Sequence, residues 1–187
     1  MARVVPTIAT QAPGNFITAA LWNAQVAGIM QWLIGSGSNG LPMFFGYQAT
    51  AQSVATGGTG AAITMDTEII DTDGGHSTVT NSSRYTCQVA GYYLVWGSVS
   101  WVTNATDERI TYYQKNGAQI AGGSSVQANA VTSAHATVIP GTIMILPMAV
   151  GDYFEVWGSQ VSGGNLNTQA DVSAGKNSTM LCMWVHA

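Results

Sequence analysis

Residues 91–101 read GYYLVWGSVSW, an uncharged run in which Tyr and Trp rings alternate with aliphatic and small side chains. This run predicts a long β-strand, because successive side chains of a strand point to opposite faces and here both faces are apolar or small. One face carries Tyr92, Leu94, Trp96 and Ser98, and the other carries Tyr93, Val95, Gly97, Val99 and Trp101. A strand that is apolar on both faces is buried on both. We therefore expect one face to lie in a sandwich core and the other at an interface between copies of the chain.

The face assigned to this interface is the one with Tyr93, Val95, Val99 and Trp101. Tyr and Trp are enriched in protein interfaces, which favours this assignment. The alternative is that the aromatic rings form an exposed platform that stacks on carbohydrate. The first interpretation makes the strand an assembly element, and the second makes it a binding site.

The remainder of residues 41–187 is also predicted to be β-structure. Gly, Asn, Ser and Asp clusters separate short strand-like runs, which is typical of a sandwich or jelly roll. Asn116–Gly117 marks a tight turn for a known backbone reason. The predicted strand runs are 41–49, 61–70, 84–90, 91–103, 109–117, 136–148, 152–161 and 178–187.

Residues 1–40 form a separate predicted unit, an extended arm followed by an amphipathic helix. Pro6 and Pro13 resist helix in the arm, whereas Thr18 is a suitable N-cap and Gly35 a suitable C-terminal stop. A flexible Gly/Ser-rich linker follows over residues 35–40. The helix either packs on its own domain or anchors the chain to another protein, and we favour the anchor. The residues assigned to it are Ile17, Trp22, Val26, Ile29 and Leu33.

The composition restricts the partners that this chain can have. Only 7% of its 187 residues are charged while 47% are hydrophobic, which favours a protein that works within an assembly. The net charge of −4 and the five scattered basic residues argue against nucleic-acid binding. The first residues have no apolar core of a signal peptide, and no run approaches the length of a membrane span. We expect neither a membrane nor a nucleic-acid partner.

No motif for catalysis or for a cofactor is evident, and we expect a protein that is not an enzyme. His76, His135 and His186 belong to no triad motif. Asp71 and Asp73 in the DTDGG segment form either a polar turn or a weak calcium site, and no other metal site is expected. Cys87 and Cys182 are either reduced core thiols or a single bridge.

Two polar segments are candidate loops. Residues 103–109, TNATDER, form the densest charge cluster, and we expect Asp107, Glu108 and Arg109 to be solvated. Residues 162–177 are long, polar and glycine-rich, so they are either a recognition loop on a rigid scaffold or a plain connection between strands.

Four segments of the chain together resemble the globular heads of the complement component 1q and tumour necrosis factor-like family. They are ITMDTEIIDTDGGHSTVTNSSRYTCQVAGYYLVWGSVSW at 63–101, ITYYQKNGAQI at 110–120, ILPMAVGDYFEVWGSQ at 145–160 and NSTMLCMWVHA at 177–187. The resemblance covers about residues 43–187 and keeps the order of the family's segments. It implies an all-β fold, a ten-stranded jelly-roll sandwich that forms compact homotrimers. The interface with Tyr93, Val95, Val99 and Trp101 is then the expected trimer interface.

The segment NFITAALWNAQVAGIMQWL at 15–33 resembles the openings of small structural proteins of phages that infect actinobacteria. That resemblance implies a virion protein of the capsid surface or the tail. The expected function is a trimeric decoration protein on the outer surface of the virion, attached by residues 1–40 to the major capsid protein or a tail protein. The alternative is a minor tail protein or receptor-binding adhesin that contacts a host surface glycan or protein.

Overall fold

The N-terminal segment forms one short helix interrupted by a π-helical turn. The structure, a computed structural model, describes residues 5–7, 10–35, 40–127 and 136–187. The helix comprises α1 (Ala19–Trp22), the π-helical turn Asn23–Ala27 and α2 (Gly28–Ile34). Thr18 Oγ1 accepts a hydrogen bond from the Leu21 backbone N–H at 3.1 Å, so the predicted N-cap is confirmed. Gly35 ends the helix as predicted, although in an extended rather than a left-handed conformation.

The π-helical turn changes which side chain of the helix packs against the rest of the protein. A π turn adds a residue to the helical repeat and so rotates the following residues relative to the preceding ones. Trp32, outside the predicted apolar face, is the buried residue of α2. Its indole meets that of Trp184 edge to face, with the ring centroids 5.5 Å apart. The helix is therefore docked on the β-domain at this point. Residues 36–39 of the predicted linker lie outside the described residues, and the domain boundary near residue 40 stays a prediction.

Residues from Met43 onward form two antiparallel sheets and a small two-stranded pair. Every predicted run contains at least one strand, and four further strands of two or three residues lie outside these runs. The strands are β1 (Met43–Tyr47), β2 (Ser53–Val54), β3 (Ala61–Ala62), β4 (Thr67–Asp71), β5 (Arg84–Thr86), β6 (Gly91–Trp101), β7 (Arg109–Lys115), β8 (Ala118–Gln119), β9 (Ser125–Gln127), β10 (Thr137–Pro140), β11 (Met144–Met148), β12 (Tyr153–Gln160), β13 (Leu166–Asn167) and β14 (Thr179–His186).

Several places in the sheets are each occupied by two short strands that lie end to end along the same edge of a longer strand. The first sheet runs β10-β6-β14-β1-β4, and β11 continues the β10 position along the same edge of β6. The second sheet runs β3-β12-β7-β8, with β5 beside β3 along β12 and β9 beside β8 along β7. The third pair is β2 with β13. Breaks in the edge strands thus divide single positions into two short segments.

The two sheets pack closely where glycine faces the opposite sheet. A Cβ atom on Gly97 of β6 would collide with Val156 of β12, and one on Gly158 would lie 2.9 Å from the ring of Trp101. Tyr113 of β7 also crosses the interior, because its hydroxyl donates to the Gly97 carbonyl at 3.1 Å. These contacts place β6 and β12 at the centre of the sandwich.

Asn116 and Gly117 form the predicted tight turn between β7 and β8. Both residues have positive φ, 53° and 77°. Asn and Gly tolerate this region better than other residues, which explains their use here.

Among the residues that the structure describes, no helix is long and apolar enough to span a membrane.

Candidate functional site

The outward-facing side of the first sheet is an apolar surface built by four adjacent strands and the edge strands beside β6. Backbone register aligns Ile70, Phe45, Leu181 and Trp96 in one row across β4, β1, β14 and β6. A second row aligns Met43, Met183, Leu94 and Ile145 across β1, β14, β6 and β11. We call this surface the outer apolar face; its residues are Met43, Phe45, Tyr47, Ile70, Tyr92, Leu94, Trp96, Val138, Ile145, Leu181 and Met183.

The outer apolar face is open in the single chain. Ile145 and Val138 are exposed at its edge, and Leu94, Trp96, Leu181 and Met183 at its centre are half-buried. No charged side chain stands in either of the two rows. A contiguous apolar surface of this kind marks an interaction site, because leaving it in water is unfavourable.

The predicted interface residues lie on the opposite side of the same strand, so this part of the sequence interpretation is corrected. Tyr93, Val95, Val99 and Trp101 each have 0% of their surface exposed within the single chain. The Tyr93 hydroxyl donates to the Val89 carbonyl at 2.8 Å, and its ring lies 5.9 Å from that of Tyr85. These four side chains fill the sandwich core and cannot meet another copy. The face with Tyr92, Leu94 and Trp96 is the one available for assembly.

The predicted anchor residues are distributed over two environments on the helix. Ile17, Trp22 and Leu33 are 77%, 52% and 53% exposed, whereas Val26 and Ile29 are half-buried. Val26 lines a shallow groove of about 180 Å³ between the arm and the helix, together with Leu21 and Trp22. The helix therefore contacts the β-domain through Trp32, and much of the apolar surface of the helix is exposed to solvent.

The apolar surface of the helix adjoins the first sheet. A groove of about 530 Å³ separates the end of α2 from the edge of β1 and β4. Leu33 and Ile34 form its helical wall, and Met43 and Ile70, which belong to the outer apolar face, form part of its other wall. The helix and the outer apolar face are thus neighbouring parts of one surface.

The DTDGG segment is a turn stabilised by Asp71. Its carboxylate accepts hydrogen bonds from the backbone N–H groups of residues 73–76, at 2.9 to 3.3 Å. Asp73 accepts a hydrogen bond from the Tyr85 hydroxyl at 2.9 Å. Because backbone amides occupy both Asp71 oxygens, the residue acts here as a turn cap. Among the described residues no three His, Cys, Asp or Glu side chains are grouped as metal ligands.

The remaining polar candidates have structural partners. His76 is buried and stacks on Phe44 with ring centroids 4.4 Å apart, while its Nδ1 lies 2.8 Å from a Glu68 oxygen. His186 is exposed and stacks on Tyr92. His135 lies outside the described residues. Cys87 and Cys182 are free and buried, which matches the reduced alternative, and burial raises the pKa of both thiols.

The two polar loops are held by the β-domain. In 103–109, the Arg109 guanidinium donates to the carbonyls of Thr106 and Glu108, both at 2.9 Å. Arg109 is fully buried, so the expectation that it is solvated is wrong, and burial lowers its pKa. In 162–177, Leu166 pairs with β2, and the Asn177 side chain donates to the Gln48 carbonyl at 2.8 Å. Hydrogen bonds and strand pairing therefore hold both loops in place on the β-domain.

Comparison with solved structures identifies the fold. The globular domain of zebrafish complement 1qA protein aligns with a TM-score of 0.54 at 11% identity, over 78% of this chain and 98% of that one. Eiger TNF from S. frugiperda gives 0.51 at 15% identity, over 79% and 94% of the two chains. Murine APRIL gives 0.53 at 8% identity, over 75% and 97%.

The sequence alone identifies no relative. No protein-family model matches the chain, and no curated protein matches it in sequence. The structural likeness nevertheless confirms the predicted fold class, a complement 1q/TNF-like β-sandwich that carries an N-terminal helix.

Proposed function

We propose that this protein is a non-enzymatic structural component of a phage virion, a homotrimer of jelly-roll heads attached to the capsid surface by residues 1–40. Two separate parts of the molecule support the two parts of the proposal. The outer apolar face supports the assembly, and the N-terminal segment supports the attachment. The outer apolar face is the observation that carries most weight.

The assembly part follows from the chemistry of the outer apolar face. Trp96, Leu94 and Leu181 are half-buried and uncharged, so a partner surface would remove apolar area from water without desolvating a charge. Burial of apolar surface contributes roughly 25 cal/mol per Å². Proteins of this fold usually form homotrimers and are typically non-enzymatic, which favours three copies of the chain over a different partner.

The attachment part rests on the helix and on its resemblance to small phage structural proteins. Trp22, Leu33 and Ile17 present apolar side chains to solvent, and Trp32 keeps the helix joined to the head. Residues 4–40 contain no charged residue, so the arm and the helix suit insertion against another protein.

The trimer is tested by placing a charge on the outer apolar face. We expect the full-length chain to have the mass of three chains by light scattering, and Trp96→Glu to have the mass of one while retaining the circular dichroism of a β-sandwich. An unpaired carboxylate buried at an interface costs several kcal/mol, which is enough to dissociate it. Val79→Glu is the matched control, because Val79 is 86% exposed in a loop and belongs to neither row of this face. A monomeric parent chain, or a trimeric Trp96→Glu, would show that the face is not the interface.

The attachment is tested with particles that lack the protein. A chain that begins at Leu41 should still assemble but should not bind the particles. Trp32→Ala is the control, because it releases the helix from Trp184 and keeps the proposed anchor residues. Normal binding of the truncated chain would refute the anchor. Gold labelling of bound protein distinguishes capsid decoration from the alternative of a minor tail protein or adhesin.

A further inference from the structure

A polar groove lies on the outward-facing side of the second sheet, away from the outer apolar face. Its volume is about 410 Å³, within the range of roughly 300–1,000 Å³ that is usual for ligand sites. The side chains that matter for its chemistry are Thr59, Tyr112, Gln114, Gln119, Ser124 and Ser159. They come from β7, β8, β12 and the segments beside them, so the sheet itself forms the floor.

The walls of the groove are held in place by its own hydrogen bonds. The Tyr112 hydroxyl donates to the Thr59 carbonyl at 3.1 Å and fixes the loop that borders one side. The Gln119 side-chain amide donates to the Ser124 hydroxyl at 3.1 Å on the other side. Within the described part of the chain, the Gln114 amide makes no side-chain hydrogen bond, whereas Ser159 is 1% exposed and forms part of the floor. The Gln114 amide is therefore available to a ligand in an already formed site.

Aromatic side chains lie beside these polar groups on the same face. The rings of Tyr112 and Trp157 are 5.8 Å apart, at an angle of 34°. The Trp157 indole N–H donates to a Glu155 oxygen at 3.2 Å, and Arg84 Nε binds the other Glu155 oxygen at 2.9 Å. The indole is thereby fixed in orientation, and Trp157 remains half-buried rather than fully covered.

The lining of the groove selects the chemical class of ligand. None of the residues that line it is charged, so it has no group to neutralise a phosphate, a carboxylate or a cation. Hydroxyl and amide groups both donate and accept hydrogen bonds, which matches a ligand with many hydroxyl groups. Aromatic and aliphatic surface at Tyr112 and Ile110 suits the C–H faces of such a ligand.

We propose that this groove binds a neutral carbohydrate. The site stands on the sheet opposite to the outer apolar face, so assembly through that face leaves it accessible. The inference does not depend on the trimer or on the virion assignment. A recognition site and an assembly surface would then occupy the two sides of one sandwich.

The experiment uses an array of neutral gluco-, manno- and galacto-configured hexaoses, with hexagalacturonic acid as the acidic counterpart. The full-length chain should bind at least one neutral hexaose in preference to the acid, and calorimetric titration with that hexaose gives the affinity. The double variant Gln114→Ala/Gln119→Ala should bind about tenfold more weakly or worse, because it removes two bifunctional hydrogen-bonding groups. Gln31→Ala is the matched control, because Gln31 is exposed on the helix, and its affinity should be unchanged.

A second variant protects the test against misfolding. Gln114→Glu keeps the size of the side chain and adds a negative charge, so it should also weaken binding. The inference is overturned if no neutral hexaose binds, if the acid is preferred, or if folded Gln114→Glu binds as well as the parent chain. A monomeric chain that binds the hexaose would refute the proposed trimer alone, whereas a trimer without binding would refute the groove alone.

Discussion

The two sheets share one core and yet present opposite chemistry to their surroundings. Across the first sheet, the outward positions are occupied by aliphatic and aromatic side chains such as Leu94, Trp96 and Leu181. Across the second sheet they include amides, hydroxyls and the Glu155–Arg84 ion pair, beside the rings of Tyr112 and Trp157. The inward positions of both sheets are mainly apolar, and Gly97 and Gly158 allow the sheets to approach closely. The fold is thus carried by the inward positions, and the outward positions are available for assembly on one side and for recognition on the other.

The largest expected effect separates the two faces of β6. Trp101→Ala should lower the free energy of unfolding by about 3–5 kcal/mol, because it removes a fully buried indole from the core. Trp96→Ala removes the same side chain from the outer apolar face and should cost the isolated sandwich less. Urea unfolding measures both losses at a chain concentration at which light scattering shows single chains, because a trimer would also bury Trp96. Equal losses for the two variants would contradict the assignment of inward and outward positions.

The sequence predicts the strands well and the direction of the β6 side chains poorly. The alternation in residues 91–101 correctly gives a long strand with two buried or semi-buried faces. Both faces are apolar, however, and a period of two residues cannot show which one turns toward the partner sheet. The deciding contacts are distant in sequence, since Gly158 and Val156 approach β6 from β12.

A medium effect is expected from filling the space between the sheets. A Cβ on Gly97 would lie 2.8 Å from the Thr179 carbonyl oxygen and would also collide with Val156. Gly97→Ala should therefore lower the free energy of unfolding by about 1–3 kcal/mol through overpacking. Gly164→Ala is the control, because nothing lies within 4 Å of a Cβ there and its φ is not positive. Unfolding in urea should leave the control near the parent chain, and an unchanged Gly97→Ala would mean that the sheets can separate at this point.

The candidate sites were predicted only in part because each depends on contacts between distant segments. The exposed anchor positions Ile17, Trp22 and Leu33 follow from local helical spacing. Trp32 was missed because the π-helical turn alters that spacing. Arg109 was predicted to be solvated because its neighbours in sequence are charged. In the structure its guanidinium instead donates hydrogen bonds to backbone carbonyls of the same segment. The polar groove gave no sequence signal, since Thr59, Gln114 and Ser159 meet only through the pairing of β7 with β12 and the position of the adjacent loop.

The smallest expected effect concerns the ion pair that links the second sheet to the β11–β12 turn. Lys115 lies 2.8 Å from Asp152, and its Nζ also donates to the Pro147 carbonyl of β11 at 2.7 Å. Hydrogen bonds from Lys115, Asn116 and the Ala149 backbone N–H lower the pKa of Asp152 to about 2. The pKa of an aspartate carboxyl in an unfolded chain is about 3.9. The contribution of Asp152 is therefore fully present above about pH 4 and is lost as the pH falls toward about 2.

Asp152→Asn should remove that pH-dependent contribution. Because the pair is partly exposed, the loss in free energy of unfolding near neutral pH should be about 1 kcal/mol or less. The difference between the parent chain and the variant should stay constant above about pH 4 and shrink below it. Lys115→Met should reproduce part of the loss, since it removes the largest cause of the lowered pKa. A difference that persists unchanged at low pH would show that Asp152 acts through its turn hydrogen bonds instead of its charge, and that the two sheets are joined there without help from the ion pair.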